Sequence, residues 1–307
     1  MPRPNRKVRN ALAVMKIMTM LHLLPNNERG IRLPVEKRLQ GAAPKKMIGP
    51  VPEVATQDHV VPTRDGQQIR VRVYRPELRS PTVLYAHGGG WVYGGIPACD
   101  HICRRLAHQA KVAVVSVEYR LAPEHTFPGP LNDVEDALGW MFAQGRQGTR
   151  LFVGGDSAGG NLAAALALRL RDHGTPLAGQ LLIYPAVDLT ATRPALLGYR
   201  GPGMTPADCQ LVARTYLAGA DPLNPEASPI HAPSLEGLPP AFVLTVEHDA
   251  LRDEGRAYAD ALRAAGVPVH AVDVPGHVHG SLSIPALYEG IDEIYTAMCQ
   301  FLADPTS

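Results

Sequence analysis

From about Val54 onward the chain carries eight short β-rich runs, at 54–61, 68–75, 82–86, 112–117, 151–154, 180–184, 241–247 and 269–274. The first two are separated by Thr63, Arg64, Asp65 and Gly66, a hairpin signal. Later runs such as Val112, Ala113, Val114 and Val115, or Leu181, Leu182 and Ile183, are apolar without alternation, as strands covered on both faces must be. Helical periodicity lies between them, near 98–110, 131–144, 158–173, 252–265 and 286–302. Strands that alternate with helices imply right-handed parallel crossovers. The pattern therefore predicts a mostly parallel eight-stranded α/β sheet flanked by helices, with antiparallel strands at its start.

Two segments break this rhythm. Residues 187–224 are too long for a simple loop and hold a helical stretch from Pro206 to Leu217, which predicts an insertion above the sheet. Residues 25–53 are rich in Pro, Gly and Lys and read as a connector with one short helix around Val35 to Gln40. Before them, Leu12, Met15, Ile17, Met18, Leu21 and Leu24 recur mostly at three- and four-residue intervals, predicting an amphipathic docking helix. Arg3, Arg6, Lys7 and Arg9 in front of that stretch give it the look of an export signal. Lys16 interrupts it, however, and Pro25, Asn26, Asn27 and Glu28 offer no small-residue cleavage site. A cytoplasmic protein is expected, with export as the alternative.

Composition narrows the function. Lys plus Arg is 30 against 29 Asp plus Glu, a net charge of +1, so there is no electrostatic footprint for nucleic acid. No apolar run is long enough to span a membrane. The four cysteines (Cys99, Cys103, Cys209, Cys299) are too few for a disulfide scaffold and fit a reducing compartment. Cys99 and Cys103 flank His101 at helical spacing, but no second cluster completes a metal site, so buried thiols and no metal are expected. There are 29 glycines and 29 prolines among 307 residues, well above the typical share of about 12%. The backbone must turn sharply in many places.

Part of that surplus falls in two motifs. Gly155, Asp156, Ser157, Ala158 and Gly159 spell G-x-S-x-G directly after a strand and before an Ala/Leu-rich helix, the context of a strained turn that projects a serine hydroxyl at a sheet edge. His87, Gly88, Gly89 and Gly90 follow the run 82–86, and consecutive glycines can turn backbone N–H groups toward a developing oxyanion. Coincidence of both motifs by chance, each after a strand, is on the order of one in a thousand. A serine hydroxyl needs a histidine base, and the base needs a carboxylate to hold its tautomer. Asp249 lies just past the run 241–247 and His279 after the run 269–274, in the order acid then histidine. His277 is a rival base. Asp253 and Glu254 are rival acids, although their helical setting suits electrostatic capping.

With H-G-G-G-W at 87–91, E-Y-R-L-A-P-E-H at 118–125, G-D-S-A-G-G at 155–160, D-P-L-N-P-E-A-S-P at 221–229 and D-A-L-R-D-E at 249–254, the chain resembles the hormone-sensitive-lipase-like carboxylesterases of bacteria. These are the family IV esterases of the α/β-hydrolase fold. The resemblance implies Ser157 as nucleophile, Asp249 as acid and His279 as base. It implies an oxyanion hole from N–H groups of Gly88, Gly89, Gly90 and Ala158, with Gly89 foremost. It makes residues 1–50 and the 187–224 insertion a cap on a catalytic domain of residues 51–307, and it turns 118–125 into a structural loop. No cofactor is implied. The expected activity is hydrolysis of short- to medium-chain acyl esters. Lactone, carbamate or amide hydrolysis by the same triad is the alternative, and an interfacial lipase or a non-catalytic small-molecule receptor stands further off. Homodimers through an edge strand or the last helix are common in that family. Many members carry Phe where this chain has Ser281 after Gly280, so a smaller and more polar wall is expected beside the base.

Overall fold

A computed structural model describes residues 28–39, 43–75, 77, 81–146 and 150–306. The amphipathic stretch at 11–24 lies outside the described residues, as does the Gln40 end of the short helix, whose observed turn is Val35–Arg38. Eight strands form one sheet: β1 (Thr56–Pro62), β2 (Gln68–Tyr74), β3 (Thr82–Ala86), β4 (Ala113–Glu118), β5 (Leu151–Asp156), β6 (Gly179–Ile183), β7 (Ala241–His248) and β8 (Val269–Val278). Their order is β1-β2-β4-β3-β5-β6-β7-β8. The pairs β1–β2 and β2–β4 are antiparallel and all others parallel.

Side chains alternate across each strand, and this divides the core in two. Val83 and Tyr85 of β3, with Leu181 and Ile183 of β6, meet α1 (Ile96–Gln109) and, at the chain's end, α6 (Ile291–Ala303). Leu84, Ala86 and Leu182 face the other way, toward α2 (Gly129–Met141), α3 (Ala158–Asp172) and α5 (Arg252–Ala264). Between β6 and β7 stands α4 (Pro206–Leu217), begun by a capping box in which Thr205 and Asp208 exchange hydrogen bonds.

Two boundaries differ from the pattern-based expectation by four residues or more. The last helix starts at Ile291 rather than near 286, because tight turns at Ser281–Ser283 and Pro285–Leu287 and a left-handed Gly290 (φ +78°) precede it. Strand β8 runs on to Val278, through an irregular register opposite Val246 and His248 where the Gly276 N–H donates to Glu247 at 2.8 Å. That extension carries the chain to His279 at the same sheet edge where β5 and β7 end. Among the described residues no helix is long and apolar enough to cross a membrane.

Candidate active site

Three residues that immediately follow parallel strands converge at the carboxyl edge of the sheet, where open α/β sheets bind ligands. Ser157 follows β5 with φ +55° and ψ −118°, a strained conformation for a residue with a side chain. The crossing of strand and helix at this turn admits no larger residue: a Cβ at position 159 would lie 2.0 Å from the Ala86 carbonyl oxygen. The Ser157 hydroxyl is 2.8 Å from His279 Nε2, and His279 Nδ1 is 2.7 Å from Asp249 Oδ2. Asp249 is fully buried as a side chain, and its Oδ1 accepts the Leu251 N–H at 2.9 Å.

Burial opposes a charge on His279, but the Asp249 carboxylate beside it, aided by Asp156, outweighs burial and raises the imidazole above its ordinary value. Such a histidine can take the hydroxyl proton and hold it. The rival base turns elsewhere: His277 Nε2 donates to the Glu289 carbonyl at 2.8 Å, and Nδ1 meets the Ser281 hydroxyl at 3.2 Å. Ser281 is buried, and its hydroxyl is engaged by His277. Of the rival acids, Asp253 is exposed. Glu254 is buried and, instead of capping α5, accepts the Val187 and Asp188 N–H groups on Oε1 at 2.9 and 3.3 Å.

The glycine loop is braced from several sides. Gly89 has φ +125°, and a Cβ there would sit 1.9 Å from the Tyr93 carbonyl oxygen. The Tyr93 N–H donates to the Gly89 carbonyl at 3.0 Å. Asp156, buried behind the serine, accepts both the Tyr85 hydroxyl at 2.9 Å and the Gly88 N–H at 3.0 Å. The Gly88 N–H is thus already used, so the loop's open donors narrow to Gly89 and Gly90. These and the Ala158 N–H at the head of α3 have no acceptor among the described residues. His87 stacks on Tyr119 at 4.1 Å, and burial lowers its pKa to about 4, so it stays neutral.

Arg38 was invisible as a functional candidate in the sequence. Fully buried, it donates to the carbonyls of Leu33 (2.9 Å), Val92 (2.8 Å) and Ala122 (2.7 Å) and pairs with Glu124. It ties the N-terminal segment to the glycine loop and to the 118–125 loop. In that loop Tyr119 donates to the His87 carbonyl and Arg120 forms a bidentate pair with Asp133. From the insertion, Tyr216 stacks on Trp91 at 4.5 Å and Val212 presses on Gly90. Cys99 contacts the Ser116 hydroxyl and His101 donates to the Leu282 carbonyl. Among the described residues no cluster of three or more His, Cys, Asp or Glu is placed to hold a metal.

A cavity of about 30 Å³ opens beside Ser157, with Gly90, Trp91, Ala158, Leu251 and Glu254 among its lining residues.

This sheet order, the serine on its strained turn and the glycine loop together define a protein class. The chain belongs to the α/β-hydrolase fold family, whose family model matches residues 83–283, and within that fold to the hormone-sensitive-lipase-like family IV carboxylesterases. It is 38% identical over 269 residues to the carboxylesterase NlhH of Mycobacterium tuberculosis, an alignment covering 78% of this chain and 80% of NlhH. A hyperthermophilic esterase from the archaeon Pyrobaculum calidifontis superimposes with TM-score 0.77 at 40% identity, over 86% of this chain and 89% of that one. An α/β-hydrolase enzyme from the metagenome of Lake Arreo, Spain, gives TM-score 0.81 at 36% identity and covers 98% of both chains.

Proposed function

We propose that this protein is a serine carboxylesterase acting on short- to medium-chain acyl esters, with Ser157 as nucleophile, His279 as general base and Asp249 as its orienting acid. The observation that carries the reading is the unbroken relay from Asp249 Oδ2 through His279 to the Ser157 hydroxyl, at 2.7 and 2.8 Å. His279 Nε2 takes the hydroxyl proton as Ser157 Oγ bonds to the ester carbonyl carbon. The carbonyl oxygen becomes an oxyanion, held by the N–H groups of Gly89, Gly90 and Ala158. When the tetrahedral adduct collapses, the C–O bond to the alcohol breaks and His279 returns the proton to the departing oxygen. Water then attacks the acyl-serine, giving its proton to the same imidazole, and the carboxylic acid leaves as Ser157 is re-protonated.

The N-terminal residues up to 50 and the 187–224 insertion act as a cap. Arg38 and the stacking of Tyr216 on Trp91 support this assignment, because both segments bear directly on the glycine loop. A cytoplasmic location is supported by the cysteines, all four of which are free thiols. The test is turnover of p-nitrophenyl esters from acetate to octanoate by wild type and Ser157→Ala. Turnover in the first and background rates in the second are expected; equal rates in both proteins would overturn the reading.

A further inference from the structure

The cavity beside Ser157 has a polar feature that the reaction itself does not use. Its lining includes Ser157, Gly90 and Ala158 but not His279. In the esterase mechanism the alcohol oxygen must lie near His279 to receive its proton, so the space on the other side of Ser157 takes the acyl chain. At about 30 Å³ it suits a short one.

Glu254 lines this space. It is 2% exposed, with Oε1 committed to the Val187 and Asp188 N–H groups, and its buried Oε2 has no partner among the described residues. Trp91, another lining residue, has a buried indole N–H in the same condition. The other lining carboxylate, Asp188, is fully engaged by Thr190, His231 and Arg193. Burial pushes the Glu254 carboxyl up to about 8, so it offers an O–H donor at neutral pH and an acceptor above it. A purely aliphatic acyl chain leaves such a group unpaired, at a cost. A hydroxyl on the chain can pair with it in either protonation state.

We propose that Glu254 is a specificity-determining residue of the acyl pocket, favouring short acyl groups that carry a hydroxyl over unsubstituted acyl groups of the same length. This inference rests on the esterase reading above. It is tested with ethyl 3-hydroxybutyrate and ethyl butyrate, followed by pH-stat in wild type, Glu254→Gln and Glu254→Met. The ratio of kcat/KM for the two esters cancels their intrinsic reactivities when compared between proteins. That ratio falls about tenfold from wild type to Glu254→Met, with Glu254→Gln between them, as loss of one buried hydrogen bond requires. Because Glu254→Met also strips two buried amides of their acceptor, a measurement on wild type alone accompanies it: free 3-hydroxybutyrate inhibits about tenfold more tightly than butyrate. Equal inhibition by the two acids, or a ratio unchanged in folded Glu254→Met, overturns the proposal. A wild type that hydrolyses ethyl butyrate no faster than Ser157→Ala overturns the esterase reading itself and this inference with it.

Discussion

Replacing Gly89 by alanine isolates the glycine loop's part in catalysis. The new methyl group would lie 1.9 Å from the Tyr93 carbonyl oxygen and 2.6 Å from its carbon, both backbone atoms, so the loop itself must move. Its φ of +125° lies outside the wells open to alanine, adding strain of ~1–3 kcal/mol. The displaced loop misaims the Gly89 N–H, and loss of one oxyanion donor costs ~2.7–4 kcal/mol, or a fall of ~10²–10³ in kcat. Substrate binding through the acyl pocket is largely kept, so KM changes little. Gly66→Ala is the control: its φ of +80° imposes comparable strain in the β1–β2 turn, but nothing lies within 4 Å of the added methyl. It should cost ~1–2 kcal/mol of stability and no activity. Steady-state kinetics on p-nitrophenyl butyrate, with thermal melts of both variants, decide the matter. A folded Gly89→Ala enzyme within about threefold of wild-type kcat would refute the argument, as would an equal activity loss in Gly66→Ala.

Other expectations follow from the same geometry. His279 must be neutral to accept a proton, and its pKa is held above the ordinary 6.5. The acid limb of kcat/KM should therefore fall above pH 6.5, and Asp249→Asn should move it downward while lowering kcat ~10⁴-fold. Arg38→Ala leaves three carbonyls without their shared donor and frees the half-exposed Glu124, so urea unfolding should report a loss of ~2–4 kcal/mol, with weaker turnover from a loosened glycine loop. Glu254 binds its proton more tightly when folded, with a pKa of about 8 against 4.5 for an ordinary glutamate. Its contribution to stability is thus full below pH 4.5 and lost as pH rises through about 8. Wild-type Tm should fall relative to Glu254→Gln across that window; parallel pH dependences in scanning calorimetry would contradict the assignment.

The parts of this molecule legible in its sequence are those set by local pattern. Buried strands such as β4 and β6 announce themselves as short apolar runs, and Ser157 sits in a strand-turn-helix context that a five-residue motif records. Asp249 and His279 each follow a strand in the required order, although order alone leaves His277 an equal candidate. The parts that stayed hidden depend on contacts between distant segments. Arg38 meets Val92 and Ala122 across 54 and 84 residues, and no neighbouring residue marks it as buried. Asp156 is only a motif letter in the sequence, yet its carboxylate accepts the Gly88 N–H and leaves that donor already committed. Glu254 has the acidic first-turn position of a helix-capping residue, and only the approach of Val187 and Asp188 gives its carboxyl a different task. Sequence adjacency to His279 likewise does not show that the Ser281 hydroxyl pairs with His277.

The central claim is that Ser157 carries the acyl group between the two half-reactions. Mixing the enzyme with p-nitrophenyl butyrate, quenching in acid during turnover and mapping the modified peptide by mass spectrometry tests it most directly. A butyryl group on Ser157, absent from Ser157→Ala, is the predicted result. Acylation at another residue, or full turnover by the alanine variant, would contradict the account.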